Sequence, residues 1–359
     1  MHLALIHSQL AQHSGAETQL FNYIQQCYAR DIRVTLLVEQ VDRYANVPDN
    51  VTVQPIPSSP LPEPIRPGTK SKRLRKLLDS IGADLNLSFQ AIAGPEVLLC
   101  NGTLPGLHQA LEKKGQGLPY KIKREAQQEA YRKADTILAV SGMMKRELQH
   151  YYQIYDHKIK VLYPPVNTNR FTADNQQHKA MYRQQFGLSA DKLSFLFVST
   201  QNKRKGWFLM EEVFAALQED PRFELVVAGP EPPQTKLPNV HYVGYIKRTE
   251  ELMAAVDYTL LPSRYEPFGL AAVESICSGT PVIMSHKVGA REVVSAKEAI
   301  VLTDFQPATW IDTLQHIDEY QFAITEDYAL HQRLTPQLHF DRLLSTCGFD
   351  PVQFPIINR

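Results

Sequence analysis

The densest chemistry in the sequence lies in Ser263-Arg-Tyr-Glu-Pro-Phe-Gly-Leu-Ala-Ala-Val-Glu274, where two carboxylates, Glu266 and Glu274, bracket a proline and a glycine. The apolar run Tyr258–Leu261 reads as a strand that stops at Pro262, and an apolar helix is expected over Gly269–Cys277. A helix start offers backbone N–H groups and the positive end of the helix dipole, which suits a diphosphate. Gly269 would let that backbone approach a ligand with no Cβ in the way. Glu266, just ahead of the helix, is placed to accept hydrogen bonds from sugar hydroxyls. Glu274 falls about 8 Å along the helix, within reach of two vicinal hydroxyls of a ribose whose phosphates sit at the helix start. Two ordinary surface glutamates would be the plainer reading. Against it, Glu274 sits among Leu270, Ala271, Val273 and Ile276, where an unpartnered carboxylate is costly to bury.

The elements that must carry this segment alternate. In the first half, strands are expected at Leu3–Ile6, Val34–Val38, Val51–Pro55, Leu85–Phe89, Val97–Cys100, Thr136–Val140 and Ile159–Tyr163. Helices are expected at Ala16–Ala29, Arg73–Ile81, Tyr120–Ala134 and Met143–Tyr151. The stretch holding Pro55, Pro57, Pro60, Pro62, Pro64 and Pro67 cannot be a central strand or a helix interior and reads as a long loop. In the second half, strands at Phe195–Ser199, Leu225–Ala228, Val240–Val243, Tyr258–Leu261 and Pro281–Met284 alternate with helices at Gly206–Leu217, Thr249–Val256 and Gly269–Cys277. Short strands without polar alternation, separated by helices, imply parallel sheets covered on both faces. The expected fold is therefore α/β, with two Rossmann-like, doubly wound domains facing a cleft and a linker near Val166–Phe171. Ligands of such sheets bind beyond the carboxyl ends of the strands.

The 359 residues suit two domains. Net charge is zero, but 20 Lys/Arg against 15 Asp/Glu precede Arg170, so the first half is basic and points to an anionic partner. Nucleic acid is not favoured, because no aromatic stacking pattern or recognition motif accompanies the basic residues. Cys27, Cys100, Cys277 and Cys347 stand far apart, as expected of reduced thiols rather than a zinc or disulfide framework. There is no Asp-x-Asp, so no metal and no resident cofactor are expected. No run reaches the ~20 apolar residues of a membrane span. His7 and His13 read as capping or exposed histidines.

The Glu266-to-Glu274 segment resembles the Glu-x7-Glu motif of family 4 glycosyltransferases, retaining enzymes of GT-B fold. Five further stretches resemble that family in order: Ser14-Gly-Ala-Glu17, Thr136-Ile-Leu-Ala-Val-Ser141, Val161-Leu-Tyr-Pro-Pro-Val-Asn-Thr-Asn-Arg-Phe171, Lys203-Arg-Lys-Gly206 and Gly289-Ala-Arg-Glu-Val293. Within the family, the Pro164-Pro165 linker and the bare Arg204-Lys205-Gly206 are most similar to the lipopolysaccharide core glucosyltransferases. The resemblance implies an acceptor-binding domain over 1–167, a nucleotide-sugar-binding domain over 168–335, and a segment 336–359 that returns to the first domain. A terminal helix is expected over Leu330–Cys347.

Carried over residue by residue, the resemblance puts Arg204 and Lys205 on the donor diphosphate, where two cations favour the departing phosphate selectively. Ser199 stands where many relatives have a further Arg. Glu266 would hold the donor sugar, Phe268, Gly269 and Leu270 would offer backbone amides, and Glu274 would hold the ribose. Gly15 would face the diphosphate from the first domain. Where the family often has a His near the reacting carbon, this chain reads Leu99-Cys-Asn-Gly-Thr103, which makes Asn101 the first candidate, with Thr103 and His108 behind it. The implied reaction moves a hexosyl group from a nucleoside-diphosphate sugar, a UDP-sugar before GDP-mannose, to a glycan or glycolipid of the cell envelope. Two basic clusters, Lys70/Lys72/Arg73/Arg75/Lys76 and Lys113/Lys114/Lys121/Lys123/Arg124, would meet an anionic acceptor or an anionic membrane surface from the cytoplasmic side. The alternatives are a non-catalytic subunit or a nucleotide-sugar epimerase of the same fold. A dinucleotide oxidoreductase is disfavoured by the lack of Gly-x-Gly-x-x-Gly after any strand.

Overall fold

The computed structural model describes residues 1–10, 15–41, 47–56, 66–113, 117–199 and 202–357. The chain divides into two compact units, one made of Met1–Pro165 with Pro336–Arg359 and the other of Val166–Thr335. The first boundary lies between Pro165 and Val166 rather than after 167.

The first unit is built on β1 (His2–Leu10), β2 (Arg33–Val41), β3 (Val51–Pro55), β4 (Leu85–Ser88), β5 (Val97–Cys100), β6 (Thr136–Ala139) and β7 (Ile159–Val161). They form one parallel sheet in the order β3-β2-β1-β4-β5-β6-β7. All four residues of β4 and of β5 are buried, the pattern of strands covered on both faces. The helix Arg66–Ile81 inserts Leu74 and Leu78, one turn apart, against Ala4, Ile6 and Leu37 of the sheet. It starts earlier than the expected Arg73, because Pro67 stands in its first turn, where a missing N–H costs nothing. Residues 57–65 of the proline-rich stretch lie outside the described residues.

The second unit is built on β8 (Leu193–Val198), β9 (Phe223–Ala228), β10 (Val240–Gly244), β11 (Tyr258–Leu261), β12 (Val282–Ser285) and β13 (Ala299–Leu302). They too form a parallel sheet, ordered β10-β9-β8-β11-β12-β13. Strand order reverses at β8, whose neighbours are β9 and β11, and this is the switch point where such sheets take ligands. Phe195, Phe197, Trp207, Phe214 and Trp310 form the centre of its core.

Several elements depart from the sequence reading. β1 and β2 each run to nine residues. The helices Leu104–Ala110, Lys179–Gln185 and Pro307–Gln315 and the strand β13 were not expected. The single helix expected over Leu330–Cys347 is two, Tyr328–His331 and Pro336–Thr346, parted by Arg333 at φ 57°. Pro336 lacks an N–H and disfavours helical backbone at the residue before it, so it opens the second helix instead of sitting inside one. Among the described residues no helix is long and apolar enough to cross a membrane.

Candidate functional site

In the second unit two loops at the carboxyl ends of neighbouring strands meet. After β8 the short helix Asn202–Lys205 carries Arg204 and Lys205. After β11 the chain runs Pro262-Ser263-Arg264-Tyr265-Glu266-Pro267-Phe268-Gly269 into the helix Leu270–Cys277. The backbones are joined directly, the Arg264 N–H donating to the Arg204 carbonyl at 2.9 Å. A Cβ on Gly206 would lie 2.2 Å from the Pro262 carbonyl oxygen, so the first loop packs this closely only because residue 206 has none.

Side chains complete the junction. Glu266 Oε2 accepts from Lys205 Nζ at 2.6 Å and from Arg204 Nη1 at 3.0 Å. Arg204 Nη1 also donates to the Tyr265 carbonyl at 2.8 Å. The Glu266 side chain is 13% exposed, and those of Arg204 and Lys205 18%. Burial alone would raise the Glu266 pKa, but the charges of Lys205 and Arg204 and their hydrogen bonds outweigh it and hold it below the usual carboxylate value. The site therefore holds an ionised carboxylate and two cations, all at a helix start.

A third segment fixes this arrangement. The Glu266 N–H donates to the Lys287 carbonyl at 3.0 Å, Gly289 N–H to the Glu266 carbonyl at 2.9 Å, and Ala290 N–H to the Phe268 carbonyl at 2.7 Å. Glu266 and Val288 thus pair as a short parallel bridge. A Cβ on Gly289 would stand 2.2 Å from the Pro267 carbonyl oxygen. Gly269 caps the helix Leu270–Cys277 at φ 96°, a conformation that only glycine adopts without strain. The helix begins at Leu270, one residue later than expected, with Gly269 as its cap.

Glu274 lies on that helix, partly buried; its carbonyl accepts from the Ser278 hydroxyl at 2.9 Å, while its carboxylate has no hydrogen-bond partner among the described residues. Burial raises its pKa to about 7. Arg170 and Lys205 oppose the shift and Glu250 adds to it. Arg170 is itself held by Glu250, Nε to Oε2 at 2.6 Å, and by the Thr249 hydroxyl at 3.2 Å. Arg170 closes the linker motif, and nothing in the sequence places it near Glu274. Nothing local pairs it with Glu250, which is 80 residues away. Lys205 thus contacts Glu266 and acts electrostatically on Glu274, while Phe268, Gly269 and Leu270 line the turn between the two glutamates.

The remaining candidates lie in the first unit. Gly15 opens the helix Gly15–Ala29 and is exposed, while His13 and Ser14 lie outside the described residues. Asn101 follows β5, and its Nδ2 is buried without a partner among the described residues. His108 has the same unpartnered character at Nδ1, its ring 4.7 Å from that of Tyr120. Thr103 caps the helix Leu104–Ala110, accepting from Gly106 N–H at 3.1 Å, and donates to Glu147, a structural engagement. His7 is not an exposed histidine: it is 5% exposed, with its ring 5.4 Å from Phe89. Among the described residues no group of three or more His, Cys, Asp or Glu converges as a metal site.

Comparison with known proteins gives two family models. Residues 13–170 match the model for Glycosyltransferase Family 4 and residues 178–320 the model for Glycosyl transferases group 1. A protein of Burkholderia thailandensis described as "Probable transglycosylase" is 33% identical over 261 residues, covering 72% of this chain and 70% of that protein. The crystal structure of WaaG, a glycosyltransferase involved in lipopolysaccharide biosynthesis, superposes with a TM-score of 0.81 at 20% identity, over 96% of this chain and all of that one. HepE of Anabaena, solved with UDP and glucose, superposes with a TM-score of 0.73 at 17% identity, over 96% of this chain and 99% of that one.

Proposed function

Because the chain belongs to glycosyltransferase family 4 and has the GT-B fold, we propose that it transfers a hexosyl group from a nucleoside-diphosphate sugar, a UDP-sugar first, with retention of configuration. The observation that carries this reading is the Arg204–Lys205–Glu266 cluster at the Gly269 helix start. The diphosphate takes the two cations and the helix start, Glu266 turns to hydroxyls of the sugar, and Glu274 receives those of the ribose. The bond from the anomeric carbon to the diphosphate breaks as negative charge grows on phosphate. Arg204 and Lys205 gain most at that moment, which is what accelerates the step. The acceptor oxygen bonds to the anomeric carbon on the face the phosphate leaves, and its proton passes to the departing phosphate. Double displacement would need a second carboxylate about 5 Å from the first. The groups on Glu266 are instead two cations. UDP in the HepE structure supports a uridine donor, and WaaG supports an envelope glycolipid as acceptor.

Transfer is tested by incubating the protein with UDP-glucose, UDP-galactose, UDP-N-acetylglucosamine or GDP-mannose and extracted envelope glycolipid, with EDTA. Nucleoside diphosphate should be released from one donor, and NMR of the product should show the donor's anomeric configuration. An inverted product would contradict the mechanism, and no release from any donor would contradict the activity.

The acceptor side falls to the first unit. Lys72, Arg73, Arg75 and Lys76 are exposed on the helix Arg66–Ile81, and Leu118, Lys121, Lys123 and Arg124 on the helix Leu118–Lys133. Lys70 is tied to Glu39 at 2.5 Å and is less available than its neighbours. Basic groups beside an exposed leucine suit an anionic glycolipid at a membrane surface. Replacing Lys121, Lys123 and Arg124 by Ser should reduce flotation with anionic liposomes, and unchanged flotation would rule that surface out.

A further inference from the structure

The chain crosses between its two units at Pro165–Val166 and again at Thr335–Pro336. Both crossings are tied on either side. On the second-unit side the Val166 N–H donates to the Leu334 carbonyl at 2.9 Å. On the first-unit side His339 Nδ1 lies 2.8 Å from the Tyr163 carbonyl. Between the ties lie Pro164-Pro165 on the outgoing segment and Thr335-Pro336-Gln337-Leu338 on the returning one, the last three already in the helix Pro336–Thr346.

The His339 tie runs further. A carbonyl can only accept, so Nδ1 carries the proton, and Nε2 accepts from the Tyr23 hydroxyl at 2.8 Å. The Tyr23 oxygen in turn accepts from Gln19 Nε2 at 3.2 Å. His339, Tyr23 and Gln19 are each no more than 1% exposed. Burial pushes the imidazole pKa down to about 3, so the ring stays neutral and the direction of the chain is fixed. Gln19 and Tyr23 belong to the helix that opens at Gly15. Arg30, the residue just past the end of that helix, adds an ion pair to Asp341 at 2.9 Å.

We infer that His339 is a positioning residue: it clasps the outgoing and returning strands into a two-strand hinge and, through Tyr23 and Gln19, ties that hinge to the helix beginning at Gly15. A fully buried polar chain is a stiff connection, because each member broken leaves its neighbours unpaired. It joins the segments that connect the two units to the helix whose first residue the family resemblance sets against the donor diphosphate. This inference rests on the proposed transfer reaction and adds what sets Gly15 in register with the hinge.

The test compares wild type with His339→Phe, His339→Asn and Tyr23→Phe at a temperature where each is folded by circular dichroism. Asn places an amide N–H where Nδ1–H was and can still reach the Tyr163 carbonyl. His339→Phe should lose about tenfold in kcat, the scale of a small misplacement at a reacting centre. Its affinity for UDP, measured by calorimetry, should stay within about twofold, because Arg204, Lys205 and Glu274, the proposed main holders of UDP, lie in the other unit and Gly15 adds a single backbone N–H. His339→Asn should recover most of kcat. Should His339→Phe fail to fold, Tyr23→Phe decides, with an expected severalfold fall in kcat at unchanged UDP affinity. Wild-type kcat in a folded His339→Phe, or in Tyr23→Phe, would overturn the clasp. So would UDP affinity falling in step with kcat. Absence of turnover in wild type would instead sink the transfer reaction. The clasp would then be read from amide exchange at Val166, which should quicken in His339→Phe and would contradict the clasp if unchanged.

Discussion

Glu266→Gln should lower turnover by about 10²-fold or more while binding UDP at least as tightly as wild type. Glu266 Oε2 accepts from Lys205 Nζ at 2.6 Å and from Arg204 Nη1 at 3.0 Å. The amide keeps the shape but removes the charge, so both cations become more available to phosphate. The sugar loses an ionised acceptor whose hydrogen bonds to its hydroxyls set its orientation, and orientation is worth several kcal/mol of a barrier. Binding and turnover should therefore separate. Calorimetry with UDP and steady-state release of nucleoside diphosphate measure the two. Loss of UDP binding together with turnover would mean that Glu266 serves mainly to organise Arg204 and Lys205.

Lys205→Met should reduce kcat by about 10²- to 10³-fold with a small change in melting temperature. The stem of Lys205 lies with Val198, Thr259, Leu261 and Ala271 around a small cavity, and Met preserves much of that packing. Glu266 keeps Arg204 as a partner, so no buried charge is left alone. What is lost is one of the two cations facing the leaving diphosphate, and the loss is felt where charge develops. Arg204 is a less clean probe, because its guanidinium also holds the Tyr265 carbonyl. Near wild-type kcat in Lys205→Met would place the diphosphate elsewhere.

The Glu266-to-Glu274 segment could be read from sequence because its logic is local. Strand end, proline, glycine and apolar helix lie within one stretch, and the structure puts Glu266, Gly269 and Glu274 on one loop and helix. The family resemblance supplied Arg204 and Lys205, and the structure shows both on Glu266. The contacts that hold the site rigid were not legible. Gly206 against Pro262 and Gly289 against Pro267 are approaches between segments far apart in the chain. Each glycine was visible, but not the carbonyl it had to accommodate. Arg170 with Glu250 and His339 with Tyr23 are buried partners of the same kind. The helix Leu104–Ala110 carries no helix signal in sequence, because its Pro105 and Gly106 are poor helix formers. Thr103 caps it, Pro105 stands in its first turn, and Gly106 gives room to Glu147.

The most direct measurement is a calorimetric titration of UDP, GDP, ADP and CMP into wild type and Glu274→Ala. With its pKa raised by burial to about 7, Glu274 is partly protonated in the free protein near neutral pH. A raised carboxyl pKa favours folding below the ordinary Glu value, and that advantage is lost as pH climbs toward 7. Ribose hydroxyls donating to the ionised form should lower the pKa on binding, so protons should be released at about pH 6.5. The account predicts that one nucleoside diphosphate binds wild type with proton release, and that Glu274→Ala loses both the release and about tenfold in affinity. No binding by any of the four, or equal binding by Glu274→Ala, would contradict it.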